Sequence, residues 1–381
     1  MRTLALDVTR LVGRALKGRI PTGIDRVGIA YVRHMRDRAR ALLRIGSMPA
    51  MATRESSDRL FAQLLEAPAE SARGRWKLVE AASRLVPELA PARGALLLHT
   101  GHGGLEKPDF LGRWQRSGGC AVAFVHDLIP LTHPEYARHG EREKHAARMH
   151  AVLTQSAAII VNSEATRREL EGYATRVGHT APRTVVAHLG TSTLPAPSHE
   201  RPVAGPYFVV VGTIEGRKNH LLLLQLWRRM VERGGKNLPK LVIIGQRGWE
   251  CEGVVDMLDR CEALRGVVIE KPGASDADLA TYMHHAQALL FPSFVEGYGL
   301  PLVEALSAGV PVVASTLSVF RELAGDLPAY VDPLDGPGWL ARIDALSSPL
   351  AARKSGALQG FHAPTWTNHF ATVDALLESL S

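Results

Sequence analysis

LFPSFVEGYGLPLVEALSAGVPVVAS, residues 290–315, reads as strand, loop, helix and strand. The apolar run from Ala288 to Phe291 has the character of a buried parallel strand. Pro292 and Ser293 end it, and a loop with Glu296, Gly297 and Gly299 follows. Pro301 suits the first turn of a helix, where its missing N–H is no loss. Gly309 reads as the left-handed stop of that helix, and Pro311 forbids its continuation. Val312 to Ser315 is then the next strand.

This order leaves backbone N–H groups and a positive dipole end at residues 298–301. Such an end binds anions, phosphate above all. Two carboxylates flank it: Glu296 in the loop, and Glu304 about one turn into the helix. Carboxylates repel phosphate, but they accept hydrogen bonds from neutral hydroxyls. A ligand with a diphosphate in the middle and hydroxyls at both ends is a nucleotide sugar. The plain alternative is an ordinary α/β crossover with two solvated glutamates.

From Glu296 to Ser315 nearly every position of EGxGLPxxEAxxxGxPVVAS is present. The stretch resembles the Glu-x7-Glu motif of retaining GT-B glycosyltransferases of family 4, the glycosyl transferases group 1. VGTIEGRKNH (211–220) resembles the VGxxxxRKN segment of the same enzymes, in which Arg and Lys grip the donor diphosphate. PTGIDRVGIAY (21–31) resembles the N-terminal glycine loop of bacterial members, and VHDLIPLTHPEY (125–136) recurs in one mannosyltransferase-like branch.

Composition is compatible with this. The chain of 381 residues is 46% hydrophobic and 22% charged, a globular balance with length for two domains. Its three cysteines form no CxxC pair, which argues for a reducing compartment and against a zinc site. No apolar run approaches the roughly 20 residues that cross a bilayer, and Arg2 and Asp7 interrupt any signal-peptide reading. A cytoplasmic protein is expected. Net charge is +7, and residues 1–46 hold eleven Lys or Arg against three Asp, a surplus of eight. Such a patch attracts phosphates and suits peripheral contact with the inner, anionic face of a membrane. No nucleic-acid signature accompanies it.

In chain order, Leu4 to Val8 reads as a strand and Arg14 to Asp25 as a loop. A helix with Val27, Ile29, Tyr31 and Met35 follows, with Arg33, Arg36, Arg38 and Arg40 among its polar positions. Residues 55–90 read as two helices. Leu96 to His99 is a strand running into the turn Thr100-Gly101-His102-Gly103-Gly104, which lacks the dinucleotide fingerprint. Ala121 to Val125 is a strand ending at His126 and Asp127, where polar residues face ligand. The alternative for His126 is a turn histidine bonded to Asp127. HGEREKH (139–145) has no metalloprotease spacing and reads as the solvated face of a helix. Strands at 159–162 and 185–188 complete this half.

The Pro-rich stretch 196–206 reads as a linker. Strands at 207–211, 241–245, 267–270 and up to Val331 then alternate with helices, the last at 335–348 and 366–380. Arg217 and Lys218 open a helix, the wrong end for cations unless a ligand anion needs them. Asp276-Ala277-Asp278 has the spacing of a metal-binding Asp-x-Asp, but Ser275 and Asp278 read as a capping box.

The resemblance implies an α/β chain of GT-B type, two doubly wound Rossmann-like domains facing across a cleft. Residues 1–195 would bind a saccharide or lipid-linked acceptor and 207–360 the nucleotide-sugar donor, with 361–381 a helix crossing back to the first domain. Arg217 and Lys218 would neutralise the leaving diphosphate. Backbone groups at Gly297, Tyr298, Gly299 and Leu300, and the loop at Thr22 and Gly23, would share that task. Gly212, Thr213 and Gly245 would line the donor site. Glu296 would bond the sugar hydroxyls, Glu304 the ribose, and His126 would line the face where sugar and acceptor meet. Asp127 and His102 would lie on the acceptor side. The expectation is retaining, metal-independent hexosyl transfer without a cofactor, with GDP-mannose the favoured donor and surface polysaccharide the product. A front-side mechanism is preferred over Asp127 as covalent nucleophile. A nucleotide-sugar epimerase or hydrolase and an inactive sugar-nucleotide-binding subunit are the alternatives.

Overall fold

Apolar runs set the two sheets of the protein. In this computed structural model every residue is described except 1, 19–21, 46–47, 67–77, 83–93, 108, 192–193, 235–237, 348–359 and 381, and the side chain of residue 45. The chain divides into two units, Met1–Thr132 with His139–Gly190 and Thr365–Ser381, and His133–Arg138 with Thr191–Pro364.

The first unit holds strands β1 (Leu4–Asp7), β2 (Ala39–Ile45), β3 (Met48–Met51), β4 (Leu96–His99), β5 (Cys120–Val125), β6 (Ala158–Val161) and β7 (Arg183–Val186). They form one sheet in the order β3-β2-β1-β4-β5-β6-β7. All neighbours are parallel except β2 and β3. LALD, LLLH and AIIV are buried along their whole length, as expected of strands covered by helices on both faces. The second unit holds β8 (Tyr207–Val211), β9 (Lys240–Ile244), β10 (Val268–Lys271), β11 (Leu289–Phe291), β12 (Val312–Ser315) and β13 (Ala329–Val331). Their order is β10-β9-β8-β11-β12-β13, all parallel. Both sheets are doubly wound. The strand order reverses between β1 and β4 in one and between β8 and β11 in the other.

The helix Trp366–Ser379 belongs to the first unit. His369 Nε2 accepts from the Tyr31 hydroxyl at 2.9 Å, and its Nδ1–H faces the Ala187 carbonyl at 3.1 Å. Burial pulls this imidazole down to about 4, so it is neutral, as that pattern requires. Phe370 packs edge-on to Tyr31 and lies flat on His34 at 3.9 Å. Asp374 bonds His34 and Arg38. Gly190 is needed here, since a Cβ on it would stand 2.3 Å from the Trp366 nitrogen.

Several local expectations change. Residues 14–25 are not all loop, because Thr9–Leu16 is a helix with Leu11 and Val12 buried. The helix Gly23–Met35 ends before Arg38, and Arg40 lies on β2. The 133–138 segment and residues 191–206 group with the second unit rather than with the first or with a linker. Of the two helices expected at 55–90, Arg54–Glu66 is present, and most of the second lies outside the described residues. Among the described residues no helix is long and apolar enough to cross a membrane.

Removing the Phe370 ring should therefore be costly. Phe370→Ala is expected to lower stability in urea unfolding by about 3 kcal/mol, in the range for a buried aromatic. Leu334→Ala, at a residue 79% exposed, should change it by less than about 0.5 kcal/mol.

Candidate functional site

In a doubly wound sheet the loops at the carboxyl ends of the two switch-point strands diverge and leave a crevice. In the second unit those are the loops after β8 and β11, and they carry the charged residues singled out in the sequence. The loop after β8 lies close to that after β9: a Cβ on Gly245 would come 2.0 Å from the Gly212 carbonyl oxygen. A single 3-10 turn, Gly216–Lys218, then presents Arg217 and Lys218, and Asn219 leaves it in the left-handed conformation at φ 55°. Opposite, Glu296 accepts from Arg217 Nη1 at 2.7 Å, Lys218 Nζ at 2.5 Å and Ser293 Oγ at 2.8 Å. Arg217 also pairs with buried Glu215 at 2.6 Å. The Phe294 N–H donates to the Arg217 carbonyl at 2.8 Å, a backbone tie between the two loops.

The expectation of cations waiting for a ligand thus needs a correction. They are already paired, and with Glu296, the residue meant for the sugar. Nor is either motif glutamate solvated: Glu304 is 5% exposed. Burial pushes the Glu296 carboxyl up, but Arg217, Lys218 and Ser293 outweigh it and hold it at about 2. Lys218 is pulled below its ordinary value, because burial and the neighbouring Arg217 outweigh Glu296. His220, also buried, is pulled down to about 3 by burial and by those two cations, so it adds no charge. The helix Leu300–Ser307 opens from Gly299 at φ 119°, where a Cβ would strike Phe320 at 2.8 Å. Tyr298 is buried beside it. Asp278 is taken up in a cap: its carboxylate accepts from the Ser275 N–H at 3.0 Å, and its own N–H donates to Ser275 Oγ at 3.1 Å.

The first unit has a polar cluster at its own switch point, between β1 and β4. Asp7 Oδ2 accepts from Arg44 Nε at 2.7 Å and from His99 Nδ1 at 2.9 Å, and Oδ1 accepts from the Thr9 N–H at 2.9 Å. Burial raises the Asp7 carboxyl, and these partners more than reverse it, keeping it ionised. Asp7, Arg10, Arg44, His99 and Thr100 line a small recess. The sequence reading assigned none of these a role. Asp7 and His99 end apolar strands, the positional signal that singled out His126.

His126 is buried and pulled down to about 4, mainly by burial. Its Nε2–H donates to the Thr100 carbonyl at 2.8 Å, and its backbone N–H donates to His102 Nε2 at 3.0 Å. His126 is therefore neutral and fixed by Thr100, not by Asp127. Asp127 instead accepts from the Ile129 N–H at 3.1 Å. His102 lies 5.3 Å from His126 and 5.0 Å from His145, centroid to centroid. His145 was expected on a solvated face and is 1% exposed. The signal was there: His145, Met149, Val152 and Leu153 form one helical stripe, all buried in Glu141–Gln155. Glu169, half-buried, is pushed up to about 7 by burial and by Asp127.

The helix start at Thr22 and Gly23, expected to share the diphosphate, is served from within. The Thr22 N–H and hydroxyl both donate to Asp25 Oδ2 at 2.7 Å, and Arg10 and Arg14 pair with the same carboxylate at 2.9 and 2.7 Å. Arg36, Arg38 and Arg44 pair with Asp37, Asp374 and Asp7. Asp7, Asp25 and Asp37 are already counted in the surplus of eight in residues 1–46, so of these partners only Asp374 lowers it.

Residues 196–332 match the glycosyl transferases group 1 family. Those residues lie within the second unit, so the likeness to this family is a likeness of that unit. O-antigen chain mannosyltransferase B of Escherichia coli is 29% identical over 269 residues, 68% of this chain and 65% of its own length. Serotype-specific mannosyltransferase WbdA of Escherichia coli is 27% identical over 284 residues, 69% of this chain and 34% of its own. The chain thus spans about two thirds of the first relative and about one third of the second. Anabaena HepE, solved in complex with UDP-glucose, is similar over 100% of both chains at TM-score 0.68 and 16% identity. The fold is GT-B. In group 1 terms, the residues from Gly212 to Glu304 lie inside the matched segment, and Asp7, His99, His102, His126 and Asp127 lie outside it.

The Glu296 pairing makes stability depend on pH in a defined direction. Its folded value of about 2 lies below the 4.5 of a free carboxyl, so the unfolded chain binds the proton more readily. The contribution is complete above about 4.5 and is lost as pH falls toward 2. The urea-unfolding difference between the native protein and Glu296→Gln should narrow by about 1 kcal/mol from pH 6 to pH 3.5. An unchanged difference would mean that Glu296 is not held ionised by its partners.

Proposed function

We propose that the protein is a cytoplasmic, retaining hexosyltransferase of family 4 type that moves a sugar from a nucleoside-diphosphate donor to a saccharide or lipid-linked saccharide. The observation that carries this is the Glu296–Arg217–Lys218 cluster at the β8/β11 switch point. A diphosphate competes with Glu296 for the two cations. Once they turn to the phosphates, the carboxylate is free to accept from the sugar hydroxyls, and Glu304 from those of the ribose.

In the transfer step the anomeric C–O bond to the leaving phosphate breaks as charge builds on that oxygen. Arg217 and Lys218 stabilise that charge when it is greatest. The acceptor oxygen bonds to the anomeric carbon from the same face and gives its proton to the departing phosphate, so configuration is retained. Two observations favour this over a covalent intermediate on Asp127: its carboxylate serves as a cap for Ile129, and neutral His126 is fixed by Thr100. The Ser275–Asp278 cap and the two cations support transfer without a metal.

The mannosyltransferase relatives favour mannose, and the HepE complex keeps a uridine nucleotide in view. GDP and GDP-mannose should raise the melting temperature, and UDP should not. Stabilisation by UDP alone would move the donor while keeping the reaction class. Stabilisation by no nucleoside diphosphate would end the reading. Arg217→Ala or Lys218→Ala should lower turnover ~10²–10³-fold with the fold intact. Excess EDTA should leave turnover unchanged; loss that Mn²⁺ restores would overturn metal independence. Exposed Arg33 supports at most a weak, salt-sensitive contact of the first unit with anionic vesicles, which co-sedimentation would detect.

A further inference from the structure

Residues His133–Arg138 follow directly on the first unit's helix Ile129–Thr132, yet they pack within the second unit. The Tyr136 ring lies parallel to that of Phe294, with centroids 5.5 Å apart and planes 3° apart. The same ring stands against Gly216, where a Cβ would meet it at 3.4 Å. Two residues on, the Arg138 guanidinium lies 4.4 Å over the Trp249 ring.

The places this ring touches matter. Phe294 follows Ser293, which donates to Glu296, and its own N–H donates to the Arg217 carbonyl. Gly216 opens the turn that presents Arg217 and Lys218. One aromatic ring therefore touches both the loop that carries the carboxylate and the turn that carries the cations. These contacts are with a ring and a glycine, so they act on the charged groups through the backbone.

We propose that Tyr136 is a positioning residue for the nucleoside-diphosphate end of the site. Its stack on Phe294 and its contact with Gly216 keep the Glu296 loop and the Arg217–Lys218 turn in register, and Arg138 on Trp249 anchors the strap. The proposal rests on the reading of this cluster as a donor site. A ring that only added stability would change the melting temperature and leave ligand affinity alone. A ring that sets the register changes the fraction of molecules whose cations are placed to bind, and apparent affinity falls with that fraction.

The test is calorimetric titration of GDP and UDP into the native protein, Tyr136→Phe, Tyr136→Ala, Phe294→Leu and the double variant Tyr136→Ala/Phe294→Leu, well below each melting temperature. For whichever nucleotide binds, Tyr136→Ala and Phe294→Leu should each weaken affinity ~3–10-fold, the range for loss of an aromatic pair. Tyr136→Phe should stay within about twofold, since the ring and not the hydroxyl is invoked, and the double variant should be about as weak as either single one. With donor, KM should rise by more than kcat falls. Affinity unchanged in Tyr136→Ala, additive losses in the double variant, or Tyr136→Phe as weak as Tyr136→Ala each overturn the proposal alone. Binding of neither nucleotide by the native protein overturns both the proposal and the reading beneath it.

Discussion

A buried carboxylate held between two cations organises the second unit. Glu296 sits after β11 and its partners after β8, so the pairing joins the loops that diverge at the switch point. Opposite charges brought out of water must be well bonded, or the arrangement costs several kcal/mol. That requirement explains the details around them: Ser293 as a third donor, Glu215 beside Arg217, and a backbone bond from Phe294 to Arg217. It also explains why the surrounding turns use Gly212, Gly245 and Gly299, where side chains would strike neighbours or strain the backbone. The free protein keeps its cations ordered by giving them an internal anion. On the proposed reading, a ligand diphosphate would replace one anion by another instead of ordering two long side chains afresh.

The first unit solves a different electrostatic problem. Three of its histidines are pulled low by burial, and each of the three has a fixed bonding direction: His126 to Thr100, His145 to the Asp127 carbonyl, His369 between Tyr31 and a carbonyl. At neutral pH they supply shape and hydrogen bonds without charge. Asp7, by contrast, is held ionised and is balanced by Arg44. The two units therefore present unlike surfaces at equivalent positions in similar sheets.

Much of this was legible in the sequence, for physical reasons. Buried parallel strands are short apolar runs, and those of β1, β4, β8 and β12 stand out between polar stretches. Proline and glycine mark helix ends, so Leu300–Ser307 and the cap at Ser275 could be placed to within a residue or two. Pairing is another matter. Nothing in a one-dimensional pattern says that Glu296 meets Arg217, or that Arg44, far along the chain, closes on Asp7. The half-amphipathic strand β2 and its antiparallel neighbour β3 were missed because their residues, ARALLRI and MPAM, mix charge with apolar character. Tyr136 was hidden for a related reason. Its segment belongs in sequence to one unit and in space to the other.

The helix Trp366–Ser379 has a consequence for how the molecule is made. Tyr31 lies early in the chain, and its edge-on partners His369 and Phe370 come at its far end. Chains emerge from the ribosome from the N-terminus, and domains generally fold as units as they appear. Here the unit that starts first must wait, with part of its core uncovered, while the whole of the other is synthesised. The second unit can close its sheet before the first is complete. During that interval the nascent first unit exposes an apolar face around Tyr31 that a chaperone, or a neighbouring nascent chain, could occupy.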